Sequence, residues 1–125
     1  LEITTTCSNS QNRKYIDFEN LFIRQIIKKI VDDGVFEIDI YKVVNPNMEP
    51  LLFEVSLETN IETVNVGYFS LYPPDNGGVF KFRFNEKVLK KAKYSAHKFL
   101  IVKHVSENNM TISNKVKVWF EFSGI

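Results

Sequence analysis

Two histidines are the first residues of this chain that could act as a general base or bind a metal. His97 and His104 are separated by seven positions in a segment that alternates like a strand. Because side chains alternate between the two faces of a strand, an odd separation sends the two imidazoles to opposite faces. The spacing therefore favours two separate surface or rim histidines over a shared metal site.

The other reactive side chains are dispersed along the sequence. The single cysteine, Cys7, has no histidine near it, and a reactive thiolate needs a positive microenvironment. Glu54 and Glu58 fall on the outward face of one predicted strand, too far apart to share a proton. The sequence contains no GxSxG motif and no phosphate-binding glycine motif. We therefore expect no catalytic activity, no bound metal and no cofactor.

One candidate binding surface lies on the last predicted strand. Its alternation buries the phenylalanines and places Trp119 and Lys117 on the opposite, mixed face. Tyr41 occupies the corresponding face of its own strand. Aromatic residues at such positions form a platform for a sugar, a peptide or a partner protein. The alternative is that a helix predicted over residues 17–33 packs over this face and covers Trp119.

A second candidate is the loop between two aromatic strands. It exposes Tyr72, Asp75 and Asn76 around two prolines and ends in Gly77 and Gly78. Proline at the start, Asn at a position that tolerates the left-handed region and glycines at the end are typical of a loop between strands. We interpret the loop as a rigid corner, whose function would come from exposed side chains and not from catalytic groups.

The strongest cluster of charge is basic. It comprises Lys87, Lys90, Lys91, Lys93 and Lys98. Such a set could meet phosphate or an acidic partner. However, Glu86 lies among the lysines, and the formal net charge of the chain is only +1. The composition therefore favours a solvated helix face, and we expect no nucleic-acid partner.

The strands that position these residues follow from alternation with a period of two. In residues 36–44, for example, Phe36, Ile38 and Ile40 alternate with polar side chains. The same pattern recurs in residues 51–59, 63–72, 79–84, 97–105 and 114–122. About six or seven short strands at even spacing, with few helices, indicate a mainly β protein, an antiparallel β-sandwich or barrel.

Residues 17–33 show a different period. Apolar residues recur there at three- and four-residue steps, which predicts one N-terminal amphipathic helix that ends at Gly34. The residues of this stripe are Leu21, Phe22, Ile26, Ile27, Ile30 and Val31. The alternative is a strand that ends in a turn, because Ile and Val favour strands. A second helix of one or two turns is predicted after Asn85, which could cap it.

Length and composition are those of an ordinary globular domain. The 125 residues predict a single β-sandwich domain, with residues 1–16 as a mobile arm. The chain is 44% hydrophobic and 25% charged, which is typical of soluble proteins. No run reaches the roughly 18 apolar residues of a membrane span, and no signal peptide is recognisable. The sequence does not indicate a cellular location.

Three further segments carry a family resemblance. They read FEIDIYKVVNPN, VGYFSLYPPDNGGVFKFRF and KFLIVKHV, and they lie within residues 36–105. This block resembles the β-sandwich domain that follows the di-copper domain in some tyrosinases and polyphenol oxidases. The resemblance implies an accessory or shielding domain. It assigns no copper ligand to any residue, because the copper-binding histidine helices of those enzymes have no counterpart in this sequence.

These observations together predict a non-catalytic binding or accessory module. It would act through surface contacts with another protein or domain, or with a ligand. Two alternatives remain open. One is a structural subunit of a larger assembly, and the other is a small β-barrel that carries an apolar ligand in an aromatic-rich interior.

Overall fold

The structure is a computed structural model that describes residues 15–16, 22–30, 33–105 and 116–125. Its elements in chain order are β1 (Tyr15–Ile16), β2 (Phe22–Ile26), β3 (Val35–Val44), β4 (Leu52–Thr59), β5 (Thr63–Ser70), β6 (Gly78–Arg83), α1 (Glu86–Tyr94), β7 (Lys98–Val105) and β8 (Lys117–Ser123). The arm predicted over residues 1–16 lies outside the described residues, apart from the two that form β1. No helix in the described ranges is long and apolar enough to cross a membrane.

The strands form two antiparallel sheets of four strands each. One sheet has the order β1-β8-β3-β6 and the other has the order β2-β7-β4-β5. All six segments that the alternation predicts as strands are strands in the structure. The expectation of a mainly β protein with antiparallel pairing is therefore confirmed.

Phenylalanine rings from both sheets meet in one hydrophobic core. Phe53 on β4 contacts Phe120 on β8 at a centroid distance of 5.7 Å. Phe69 on β5 stacks on Phe80 of β6 at 4.5 Å. Phe53 and Phe120 are almost fully buried, so the rings fill the space between the inner faces of the two sheets. Such aromatic contacts stabilise the fold in addition to the free energy gained by burying apolar surface.

The predicted N-terminal helix is wrong where the structure describes that segment. Residues 22–26 form β2, which pairs antiparallel with β7. Ile23 and Ile27 are buried, whereas Phe22 and Ile26 are 46% and 49% exposed, so the apolar residues do not form one helical stripe. Branched and aromatic side chains favour a strand, and pairing with β7 outweighs the weak helical periodicity.

The only helix in the described residues is α1. As predicted, Asn85 caps it, because its side-chain oxygen accepts a hydrogen bond from the backbone N–H of Val88 at 2.8 Å. Val88 and Ala92 are the buried residues of this helix. The helix follows β6 and contacts the start of β3, where Leu89 lies against Gly34. We call this end of the molecule the helix end. The opposite end, where β3 leads into residues 45–50 and β5 into residues 71–77, is the corner end.

Candidate functional site

A β-bulge at the corner end determines where Tyr41 points. Ile40 pairs with Phe120, but the next pair joins Lys42 to Trp119, so Tyr41 is an extra residue in β3. Tyr41 is 51% exposed and Lys42 is also exposed, which places two consecutive side chains on the outer face of the sheet. The bulge also reverses the alternation, and for this reason Val43 points inward.

Trp119 lies on the outer face that alternation predicts, but it is half-buried. The ammonium of Lys42 lies 4.6 Å from the centre of its ring, a favourable cation–π contact. Lys117 is also half-buried and pairs with Val44 at the same end of the sheet. A helix over residues 17–33 cannot cover this face, because β2 lies in the other sheet. The indole is therefore part of a mixed surface and is not a bare platform.

The loop between β5 and β6 is held in place by Asn45, which is only 5% exposed. The side-chain amide of Asn45 donates to the carbonyl oxygens of Glu49 at 2.8 Å and Pro74 at 3.1 Å. Its side-chain oxygen accepts from the backbone N–H of Glu49 at 3.0 Å. One buried side chain thus joins the two loops of the corner end, which supports the interpretation of a rigid corner.

The exposed side chains of this loop are those that the sequence predicts. Tyr72 is 94% exposed, and Asp75 and Asn76 are exposed as well. The loop turns where the N–H of Asn76 donates to the carbonyl oxygen of Pro73 at 3.0 Å. Gly77 follows directly against β3, where any Cβ atom would overlap the carbonyl oxygen of Ile40. The absence of a side chain at Gly77 lets the loop lie this close to β3.

Strand register brings the two predicted features together. Lys42 lies opposite Trp119 on one side of β3, and Ile40 lies opposite Gly78 on the other side. Tyr41 lies between these two pairs and connects the Trp119 face to the loop. We call this set of neighbours the corner surface; it consists of Tyr41, Lys42, Lys117, Trp119 and residues 72–77.

Two carboxylates lie beside the corner surface. Asp39 and Glu121 lie directly opposite each other on the outer face of β3 and β8. Neither forms an ion pair within the described part of the chain. Partial burial raises the pKa of the Tyr41 phenol above its usual value, and the negative charges of Glu121 and Asp39 raise it further. A like-charge pair costs stability across strands, and a cationic partner group would relieve that repulsion.

The two histidines lie at opposite ends of β7. His97 immediately precedes the strand, is exposed and contacts the ring of Phe99 at 4.6 Å. His104 lies near the end of the strand and points inward at the corner end, with its ring 5.9 Å from that of Phe53.

His104 is a half-buried titratable group at the corner end. It donates a hydrogen bond to the carbonyl oxygen of Pro50, and its Nε2 atom is buried without a hydrogen bond among the described residues. Burial lowers the pKa of His104, while this hydrogen bond and the charge of Glu49 act in the opposite direction. No group of three or more His, Cys, Asp or Glu side chains within the described ranges is arranged to hold a metal ion.

Four residues at or near this end of the molecule have roles that the sequence does not predict. Asn45 stands in the predicted turn without a role, although Asn before Pro is a common loop residue that bonds to nearby backbone. Lys42 would point into the core without the bulge, and no residue pattern marks the bulge. Asp39 and Glu121 alternate outward as expected, but only the strand register places them opposite each other.

Comparisons with known proteins add no evidence to this geometry. No protein-family model matches the sequence, and the curated proteins and the solved structures give no significant match.

Proposed function

We propose that this protein is a non-catalytic β-sandwich module that binds another protein or domain through the corner surface. The observation that carries the proposal is the strand register, which places Tyr41 between Trp119 on β8 and the glycine end of the loop that carries Tyr72. Tyrosine and tryptophan are the side chains that contribute most often to protein–protein interfaces. An accessory role, as in the sandwich domains that this sequence resembles, is consistent with this arrangement.

The rigidity of the corner surface supports a binding role. Asn45 connects both loops by three hydrogen bonds, and Gly77 packs against the backbone of β3. A preformed surface loses little conformational entropy when a partner binds, so more of the contact energy appears as affinity. The acidic pair Asp39 and Glu121 beside Tyr41 suits a partner that brings a basic side chain to this position.

The two alternatives differ in how the structure supports them. An apolar carrier needs an enclosed cavity of at least about 300 Å³, whereas here Phe53, Phe69 and Phe120 occupy the space between the sheets. The described strands also form two separate sheets and not one closed barrel. A structural subunit of a larger assembly would use the same kind of surface, and it differs from a binding module only in the permanence of the contact.

Site-specific photo-cross-linking tests the proposal. A benzoyl-phenylalanine introduced at Tyr72 should give a discrete cross-linked product in an extract of the cells that make the protein. The same group at Tyr68, which is 56% exposed on the other sheet, serves as the matched control. Tyr68 offers the same chemistry on an exposed side chain, although it is less exposed than Tyr72, and it lies outside the corner surface.

The cross-link must also depend on the neighbouring residues. We expect Trp119→Ala to remove the product formed at Tyr72, because the indole contributes to the same surface. A product that forms equally at Tyr68, or one at Tyr72 that survives Trp119→Ala unchanged, would contradict the proposal. Circular dichroism of each variant shows whether the fold is retained.

A further inference from the structure

The helix end carries a group of lysines that the corner surface does not involve. Lys87, Lys90 and Lys93 are exposed on α1, and none has an ion pair within the described residues. Lys91 differs, because its ammonium lies 3.1 Å from the carboxylate of Glu62. Lys98 also differs, because it donates to the carbonyl oxygen of Ala92 at 3.0 Å.

Two more lysines lie beside this helix. Lys28 and Lys29 follow β2 and are both exposed without an ion pair in the part of the chain that the structure describes. The N–H of Ile27 donates to the carbonyl oxygen of Lys98 at 3.2 Å, just beyond the end of α1. Gly34, a few residues later, lies so close to α1 that a Cβ atom at this position would meet the side chain of Leu89 at 3.3 Å. Residues 27 and 34, which flank Lys28 and Lys29 in the sequence, therefore both lie near α1 or the residues that follow it.

The geometry of the helix places Lys93 on the side of α1 that carries Leu89, because it lies four residues after Leu89. Lys90 and Lys87 continue from Lys93 at steps of three residues along the exposed face. Within the described residues, the acidic groups near these lysines are Glu86 in the first turn of α1, Glu62, which pairs with Lys91, and Asp33, whose carboxylate accepts a hydrogen bond from the N–H of Val35. We call Lys28, Lys29, Lys87, Lys90 and Lys93 the lysine patch. Tyr94, which is 88% exposed, adds an aromatic ring at its edge.

We propose that the lysine patch binds an acidic segment of a partner protein. Five cationic side chains without ion pairs in the described residues raise the local potential and attract carboxylates at short range. Because the whole chain has a formal net charge of only +1, the remainder of the molecule is net acidic. A nucleic acid or an anionic membrane extends beyond the patch and would meet this opposing charge. A short acidic segment is small enough to contact only the lysine patch, and it avoids this opposing charge.

This inference is independent of the proposed function of the corner surface. Asn85 and α1 follow the far end of β6, whereas the corner surface includes the loop before its start. The two surfaces therefore lie at opposite ends of the same sheet. An experiment that shows no binding at one surface therefore leaves the proposal for the other surface unchanged.

A titration with a defined acidic peptide tests the inference. A ten-residue polyglutamate is added to the isotope-labelled protein at low ionic strength, and amide shifts are recorded by NMR. We expect the largest shifts at Lys28, Lys29, Lys90, Lys93 and Tyr94. The double variant Lys90→Gln and Lys93→Gln should bind at least about fivefold more weakly, since each charge contributes a modest increment. Glutamine retains the helix propensity of lysine.

The matched control removes the same amount of charge elsewhere. Lys81→Gln with Lys103→Gln changes two exposed lysines on the two outer sheet faces, and we expect the affinity for polyglutamate to change by less than about twofold. An equal loss in both double variants, or an absence of shifts at the patch, would overturn the inference. Tighter binding of a 15-nucleotide single-stranded oligonucleotide, or of phosphatidylserine vesicles, would overturn it as well.

Discussion

Gly77 illustrates how a single residue defines the corner. Its backbone lies so close to β3 that a Cβ atom would overlap the carbonyl oxygen of Ile40. We expect Gly77→Ala to destabilise the fold by more than about 2 kcal/mol, because backbone must move to admit the methyl group. Gly78→Ala is the control, since its Cβ atom would meet only the ring of Phe80 at 3.5 Å. Urea unfolding of both variants measures the difference, and equal stabilities would contradict this account.

His104 should make the stability of the protein depend on pH. Burial places its pKa in the folded state below the unfolded value of about 6.5. The unfolded chain therefore takes up the proton first as the pH falls. The stability that neutral His104 contributes is fully present above the pKa of the unfolded state. This stability is lost as the pH falls from the unfolded-state pKa to the lower pKa of the folded state.

Substitution separates this effect from other titrations. We expect the free energy of unfolding of His104→Leu to change less than that of the wild type between about pH 7.5 and pH 5. His97→Gln should retain the wild-type dependence, because His97 is exposed. Urea titrations at several pH values provide the measurement. Identical pH profiles for His104→Leu and the wild type would show that His104 is not the group responsible.

At the scale of elements, β2 is the strand that sequence periodicity misassigns. Ile23 is 2% exposed and faces the core, whereas Ile26 is 49% exposed on the outer face of the same strand. Ile23→Ala should therefore lower the free energy of unfolding by about 2–4 kcal/mol, and Ile26→Ala by less than about 1 kcal/mol. If the segment were instead a helix with one apolar stripe, Ile26 would be buried, and Ile26→Ala would destabilise the protein as much as substitution of its buried neighbours. Chemical denaturation of the two variants distinguishes the arrangements.

Asn45 links two loops that each pass from one sheet to the other, and its loss should loosen both. Asn45→Ala leaves the carbonyl oxygens of Glu49 and Pro74 and the N–H of Glu49 without their partner, and we expect a cost of about 2–3 kcal/mol. Asn65→Ala is a matched control, because that exposed side chain bonds only to the carboxylate of Glu54. Similar stabilities of the two variants would show that the link contributes little.

Sequence patterns predict the elements of this fold better than their arrangement. Strict alternation identifies β3, β4 and β6, because each buries one face, and Asn85 marks the start of α1. The segment of β2 fails because isoleucines four residues apart fit a helix and a strand equally well. The choice depends on pairing with β7, which is distant in sequence. The candidate residues Trp119, Tyr41 and Tyr72 could be proposed individually, but their proximity depends on the register and on the bulge.

At the scale of the whole molecule, the two ends differ in chemistry. The corner end combines exposed tyrosines and Trp119 with charges of both signs, namely Lys42 beside Asp39 and Glu121, whereas the helix end presents a group of exposed lysines. The core between them is a continuous set of aromatic contacts, in which Phe53 touches both Phe69 and Phe120. A rigid body with two different ends is suited to contacting two partners, or two parts of one assembly.

The affinity for the partner captured at Tyr72 tests the central claim most directly. Calorimetric titration compares the wild type with the double variant Tyr41→Ser and Tyr72→Ser, and with the control Tyr68→Ser and Ile61→Ser, whose side chains are 56% and 80% exposed elsewhere. Loss of the corner tyrosines should weaken binding at least about tenfold, while the control should change it less than about twofold. Equal affinities of the corner variant and the wild type would contradict the assignment of the corner surface as the binding site.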